Sequence, residues 1–326
     1  MTRARRLFAV LAVAVAAFGA EQGAMAWERG RPDPDATEDF APSGDDREST
    51  LRLSDGSEIH VTERGSGPPL LLLHGVTLST VTWHYQQREL SATHRVIAID
   101  HRGHGRSTGE AGTFTIDRLA DDLAEIIEQL DLRNAVVVGH SMGGMTLMKM
   151  ATDHPELVAE RCAGLVLMST DAGPGSIVPG WALVSRVVTP VSQRYLRLAG
   201  RLPGGLLPST DLSYLLARLG FGRGPSPTHV ELTRVMTGAV PAPIVAEFWG
   251  SIARFNVGHA LDRIGVPTLV FVGSRDAMTP VRHSRHIAER VPGAELEILP
   301  GAGHMMMLER HAEVSDRLAR FADSVQ

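Results

Sequence analysis

Ser49–Ser54 and Glu58–Glu63 alternate apolar with polar residues and are separated by Asp55-Gly56, a dipeptide suited to a tight hairpin. They predict two antiparallel strands at one edge of a sheet. Four nearly continuous apolar runs follow, Leu70–Leu73, Val96–Ile99, Ala135–Val138 and Leu165–Met168. A fifth, Thr268–Val272, comes much later, and Glu295–Leu299 reads as the last strand. A run that is apolar at every position suits a strand covered on both faces, which is the habit of a parallel sheet.

Helical periodicity fills the gaps between these runs. In Ile116–Leu130 the residues Ile116, Leu119, Ala120, Leu123, Ile126, Ile127 and Leu130 recur at helical spacing. Thr115 is placed to cap this helix, and Asp117 lies in its first turn, where the helix dipole favours an anion. Met142–His154 and Pro280–Val291 read as two further helices, and the last runs from about Leu308 to Phe321. Strand and helix in alternation predict an α/β domain with a doubly wound, mostly parallel sheet, spanning residues 49–326.

The alternation stops between Asp171 and about Ile264. Here Pro, Gly and short apolar stretches predominate, and Trp181, Tyr195, Tyr214, Phe221, Phe248 and Trp249 supply aromatics. One short helix is expected to start at Asp211, to turn Leu212, Leu215, Leu216 and Leu219 inward, and to stop at Gly220. So much apolar sequence does not suit a bare loop. The stretch 171–264 is therefore expected to be an insertion between strands that caps the sheet with short helices.

Composition narrows the function classes. The apolar fraction, 43%, is ordinary for a globular chain of 326 residues, and a net charge of −5 gives no reason to expect nucleic acid as a partner. Lys149 is the sole lysine, a bias more in keeping with codon composition than with phosphate recognition. The one cysteine, Cys162, forms no internal disulfide and reads as a small buried hydrophobe. No Cys/His cluster has zinc-site spacing, so no metal is expected.

The N-terminus suggests a destination. Arg3, Arg5 and Arg6 precede the apolar stretch Leu7–Ala20, and Ala24-Met25-Ala26 follows. These are the parts of a secretory signal peptide occupying residues 1–26. The apolar stretch is short of the ~20 residues that a permanent span needs. Export with cleavage after Ala26 is the first expectation, and an uncleaved anchor on the outer side of the cytoplasmic membrane the second. A cytoplasmic location follows if the segment is no signal. Membrane contact is expected only through this segment. Residues 27–48, rich in Asp, Glu and Pro, read as a solvated acidic linker.

The chemistry gathers at strand ends. Gly139-His140-Ser141-Met142-Gly143 sits between the run Ala135–Val138 and a helix, the strand–turn–helix setting that a nucleophile elbow requires. Ser141 is the candidate nucleophile, and the Met142 amide, at a helix N-terminus, is aimed at developing negative charge. Leu70–Leu73 ends in His74-Gly75-Val76, which offers the Val76 amide as a second oxyanion donor. Asp276, after the strand Thr268–Val272, is the candidate acid, and His304, after Glu295–Leu299, the candidate general base. The order Ser, Asp, His at successive strand ends is the order of one hydrolase architecture. Asp171, after Leu165–Met168, is the alternative acid. Trp83 and Met305 are candidate pocket residues, each equally explained by core packing. His101 and His104 read as structural or rim residues.

Through these residues the chain from about Ser49 to Phe321 resembles the α/β-hydrolase superfamily, in its esterase, lipase and perhydrolase branches. Gly-His-Ser-Met-Gly-Gly at 139–144, the loop Asp100-His101-Arg102-Gly103-His104-Gly105-Arg106-Ser107 and Gly301–His304 carry the resemblance. It implies the triad Ser141, Asp276 and His304, the oxyanion donors Val76 and Met142, and a cap between the sixth and seventh strands. Two departures matter. The elbow carries Ser where similar epoxide hydrolases and haloalkane dehalogenases carry Asp, and Val76-Thr77 lacks the proline often found in the epoxide-hydrolase loop.

The expected reaction is hydrolysis of a small-molecule ester with an apolar acyl group, of medium length in preference to acetate. It requires no cofactor. Perhydrolase or haloperoxidase-like chemistry and carbon–carbon bond hydrolysis share the triad and remain open. A non-catalytic binding module on the same fold is the reading from a different class.

Overall fold

The computed structural model describes residues 23, 25–28, 30–173 and 211–326. Among them, strands β1 (Arg47–Arg52), β2 (Glu58–Arg64), β3 (Pro69–Leu73), β4 (Arg95–Ile99), β5 (Ala135–His140), β6 (Cys162–Met168), β7 (Thr268–Gly273) and β8 (Glu295–Leu299) form one sheet. Its order is β1-β2-β4-β3-β5-β6-β7-β8. The β1–β2 hairpin is antiparallel and pairs antiparallel with β4, while every pairing from β4 to β8 is parallel. The sheet is thus mostly parallel, as the unbroken apolar runs predict.

Those runs are apolar because helices cover both faces. Side chains alternate across a strand, so Leu71 and Leu73 enter one core and Leu70 and Leu72 the other. The first core is closed by α2 (Ile116–Gln129) and α3 (Met142–Asp153). The second is closed by α1 (His84–Leu90) and the C-terminal helix His311–Val325. The Thr115 side chain accepts a hydrogen bond from the Arg118 amide at 3.2 Å, capping α2. Cys162 is buried and free, and burial pushes its thiol up to about 12. The short α1 and α4 (Pro155–Arg161) have no counterpart in the sequence reading. Each spans only two turns, too few for the apolar period to repeat.

Between β6 and β7 stand α5 (Asp211–Arg218), α6 (Pro227–Ala239) and α7 (Ala242–Ile252). They are the described part of the cap; Trp181 and Tyr195 lie outside the described residues. The helix expected at Asp211 forms, but its phase differs. Ser213 and Tyr214 are buried, whereas Leu216 and Leu219 are 45% and 66% exposed. The bulky Tyr214 and the Arg218 ion pair with Glu28 set which side faces inward. The helix ends in front of Gly220, whose amide donates to the Ala217 carbonyl.

The expected solvated linker is instead docked. Arg31 donates to the Pro225 carbonyl at 2.7 Å, and Asp33 accepts from the Thr228 amide and hydroxyl. Glu38 pairs with His84 at 2.8 Å, and the Phe40 ring meets Tyr85 edge-on at 5.9 Å. Its acidic residues find partners on α1 and the cap, a match that no local sequence pattern reveals. The basic and apolar parts of the expected signal peptide, Arg3 to Ala20, lie outside the described residues. Among the described residues no single helix is long and apolar enough to cross a membrane.

Candidate active site

Four loops, at the carboxyl ends of β5, β3, β7 and β8, build the site. The first is the elbow. Ser141 follows β5 with φ 53° and ψ −115°, a backbone conformation strained for any L-residue. Its neighbours hold it there. The Ser141 amide donates to the Met168 carbonyl at 3.0 Å, and the Thr170 hydroxyl donates to the Ser141 carbonyl at 2.7 Å. The turn leaves no room for side chains beneath it. A Cβ on Gly139 would lie 2.5 Å from the Gly143 carbonyl oxygen, and one on Gly143 2.5 Å from that of Leu73. Met142 is the first residue of α3, so its amide has no acceptor one turn back within the helix.

The loop after β3 runs against the elbow. A Cβ on Gly75 would sit 3.1 Å from that of Ser141, which places the Gly75–Val76 peptide beside the candidate nucleophile. His74 holds the loop to its neighbour. Its Nδ1–H donates to the Gly75 carbonyl at 2.7 Å, and its Nε2 accepts from the His101 amide at 2.9 Å. Burial lowers the pKa of His74, in keeping with this neutral tautomer.

The acid and the base meet directly. His304 Nδ1 lies 2.9 Å from Asp276 Oδ2, both residues being buried. Asp276 Oδ1 accepts from the amides of Met278 and Thr279 at 2.9 and 2.8 Å, and Oδ2 accepts from the Thr279 hydroxyl at 2.8 Å. Burial alone would raise the pKa of Asp276. The His304 contact and the bonds from Thr279 overcome it and hold the carboxyl well below the usual carboxylate range. The His304 backbone is fixed as well. Its amide donates to the Gly220 carbonyl of the cap at 2.8 Å, and its carbonyl accepts from His140 Nε2 at 3.0 Å.

Asp171 is not part of this pair; its carboxylate lies 3.2 Å from His283 Nδ1. Trp83 is fully enclosed in the core under α1, and Met305 is 3% exposed and packs against the cap residue Gly220. His101 and His104 are buried at 3% and 1% exposure, so neither stands at a rim. Thr279, His140 and Glu309 are the site residues that sequence reasoning missed. Glu309 accepts from the amides of Gly303 and Gly222 at 2.9 and 2.8 Å, joining the histidine loop to the cap. Only Thr279 left a signal, three residues after an Asp in a loop, the spacing of a side chain that bonds its own turn.

Residues 68–311 match the family model described as the alpha/beta hydrolase fold. A non-heme haloperoxidase of Rhodococcus erythropolis is 32% identical over 84% of this chain and 99% of its own length. A non-heme chloroperoxidase of Kitasatospora aureofaciens is 27% identical over 77% of this chain and 90% of its own. Among solved structures, a thermophilic esterase from Thermogutta terrifontis superposes with a TM-score of 0.73. It is 28% identical and covers 86% of this chain and 99% of that one.

Proposed function

We propose that this chain, which belongs to the alpha/beta hydrolase fold family, is a serine hydrolase that cleaves carboxylic esters through an acyl-enzyme on Ser141. The observation that carries the reading is the placement of the paired His304 and Asp276 at the same sheet edge as a Ser141 held in strained geometry. A hydroxyl on a strained turn is a poor core residue and a well-presented nucleophile.

His304 takes the proton from the Ser141 hydroxyl as its oxygen attacks the ester carbonyl. Asp276 accepts from Nδ1–H, fixes the tautomer that leaves Nε2 free to act as base, and stabilises the imidazolium that forms. The Val76 and Met142 amides donate to the oxyanion. The imidazolium then returns its proton to the alcohol, which leaves. Water, deprotonated by the same imidazole, attacks the acyl-enzyme, and the imidazolium returns its proton to the departing Ser141 oxygen as the acid is released.

A second reading keeps every residue and changes the acceptor. Hydrogen peroxide in place of water would release a peracid, and the similarity to the haloperoxidase of R. erythropolis supports it.

The test is a panel of p-nitrophenyl esters graded from acetyl to decanoyl, each run with and without hydrogen peroxide, with Ser141→Ala as control. A fluorophosphonate probe reports on the nucleophile independently. We expect hydrolysis with a maximum at medium chain length and loss of turnover by several orders of magnitude in Ser141→Ala. A variant within about tenfold of wild type, or one still labelled by the probe, overturns the assignment. Peracid outpacing free acid selects the second reading.

A further inference from the structure

The loop that offers the Val76 amide is held by a residue from another strand end. The Leu78 amide closes a turn on the Gly75 carbonyl at 3.3 Å, with Val76 and Thr77 as its central residues. Thr77 has φ 62°, the left-handed region that glycine favours and β-branched residues avoid. Such a turn opens unless its surroundings hold it. The Thr77 amide, next along the chain from the Val76 peptide, donates to His104 Nε2 at 3.1 Å.

His104 is built to accept that bond. Its Nδ1–H donates to the Arg102 carbonyl at 3.1 Å, which leaves the Nε2 lone pair for Thr77. The ring is wedged between His74, 5.3 Å away, and Phe248 of α7, 5.1 Å away. Burial, with His74 beside it, lowers its pKa to about 3, so Nε2 stays an acceptor wherever esters are assayed. On the cap side, the Thr77 hydroxyl lies 3.3 Å from that of Thr237 on α6.

We propose that His104 is a positioning residue of the oxyanion hole: its Nε2 holds the Thr77 amide and so fixes the direction of the neighbouring Val76 N–H. The proposal rests on the reading of Val76 as an oxyanion donor. A donor that turns away acts weakly on charge that exists only in the transition state, so the defect falls on kcat.

The test compares His104→Phe, which keeps a ring against Phe248 but no acceptor, with His104→Gln, whose carbonyl reaches the place of Nε2. In each we would measure kcat and KM on p-nitrophenyl butyrate, affinity for an alkyl boronic acid, and hydrogen exchange at the Thr77 amide. The Phe variant should lose about 10-fold to 100-fold in kcat with KM within about threefold, and lose boronate affinity in parallel. Its Thr77 amide should exchange faster. The Gln variant should recover most of both losses.

Equal kcat losses in the two variants, a change in KM alone, or wild-type kcat in the Phe variant overturns the proposal. If the Phe variant does not fold, His104→Asn, whose carbonyl is too short to reach Thr77, takes its place with the same expectations. A wild-type chain inert to every ester and to boronate defeats the acyl-transfer reading instead, and with it any oxyanion role for His104. In that event, faster Thr77 exchange in the Phe variant still shows that His104 holds the loop, and unchanged exchange shows that it does not.

Discussion

Asp171 stands 3.2 Å from Nδ1 of His283, while the imidazole of His304 is paired with Asp276 at 2.9 Å. Two aspartates follow adjacent parallel strands of this sheet, β6 and β7, and each meets a histidine. Only one of those histidines lies on the loop after β8, with its backbone carbonyl bound by the elbow residue His140.

The consequence is a division of labour that substitution exposes. Asp276→Asn favours the wrong tautomer of His304 and should lower kcat on an ester by roughly 10³-fold to 10⁴-fold with little change in KM. Asp171→Asn should leave kcat within about threefold, since its contact with His283 takes no part in proton transfer. Steady-state kinetics of the two variants decide the matter, and the reverse pattern would move the acid to the loop after β6.

What the sequence made legible follows physical range. Leu70–Leu73 and Val136–Val138 read as buried parallel strands because both faces of the sheet are covered, a condition written into every residue of the run. Ser141, Asp276 and His304 stood out because each lies in the loop after a strand of that sheet. The phase of the helix Asp211–Arg218 was not legible. Its inward side is set by Tyr214 and by an ion pair to Glu28, 190 residues away in sequence. Nor was the docking of the acidic segment, whose Asp33 and Glu38 look solvated until α6 and α1 are in place. Glu309 escaped notice because its partners are backbone amides of Gly222 and Gly303, which no side-chain pattern announces.

Glu309 makes the stability of the fold depend on pH. Burial raises its pKa to about 7. The Gly222 and Gly303 amides and Arg218 oppose the rise, and the charge of Asp276 adds to it. The folded protein therefore holds this proton more tightly than the unfolded chain does. The resulting stability is fully present below the ordinary carboxylate pKa of about 4.5, and is lost as pH rises through 7. Glu309→Gln cannot ionise. The Tm of the variant should thus gain on wild type by roughly 3 °C or more between pH 5 and pH 8.5, whatever its offset at pH 5. Parallel Tm curves across that range would show that Glu309 does not titrate there.

In the docked N-terminal segment, Asp33 reaches the start of α6. The first amides of a helix lack partners within it, and Ser226, at the N-cap of α6, makes no side-chain capping bond of its own. Asp33 supplies the acceptor from elsewhere in the chain. Its Oδ2 takes the Thr228 amide at 3.1 Å and the Thr228 hydroxyl at 2.7 Å, and its Oδ1 takes the Ser226 hydroxyl. Burial works against the charged form, but the bonds from Ser226 and Thr228 outweigh it and lower the pKa of Asp33. A lowered carboxylate pKa contributes stability above its unfolded value of 3.8, and that stability is lost as pH falls below it. Asp33→Ala should then cost about 1 kcal/mol at pH 7, the usual value of a helix cap. Hydrogen exchange should quicken in residues 227–239 and 30–40 together, because one carboxylate joins them. The cost should shrink as the pH falls from 3.8 through the lowered pKa of Asp33, where wild type loses the same charge. Since α6 carries Thr237 against Thr77, kcat/KM for octanoyl esters should fall more than for acetyl esters. Unchanged exchange across 227–239 in the variant would mean that the segment lies on the cap without steadying it.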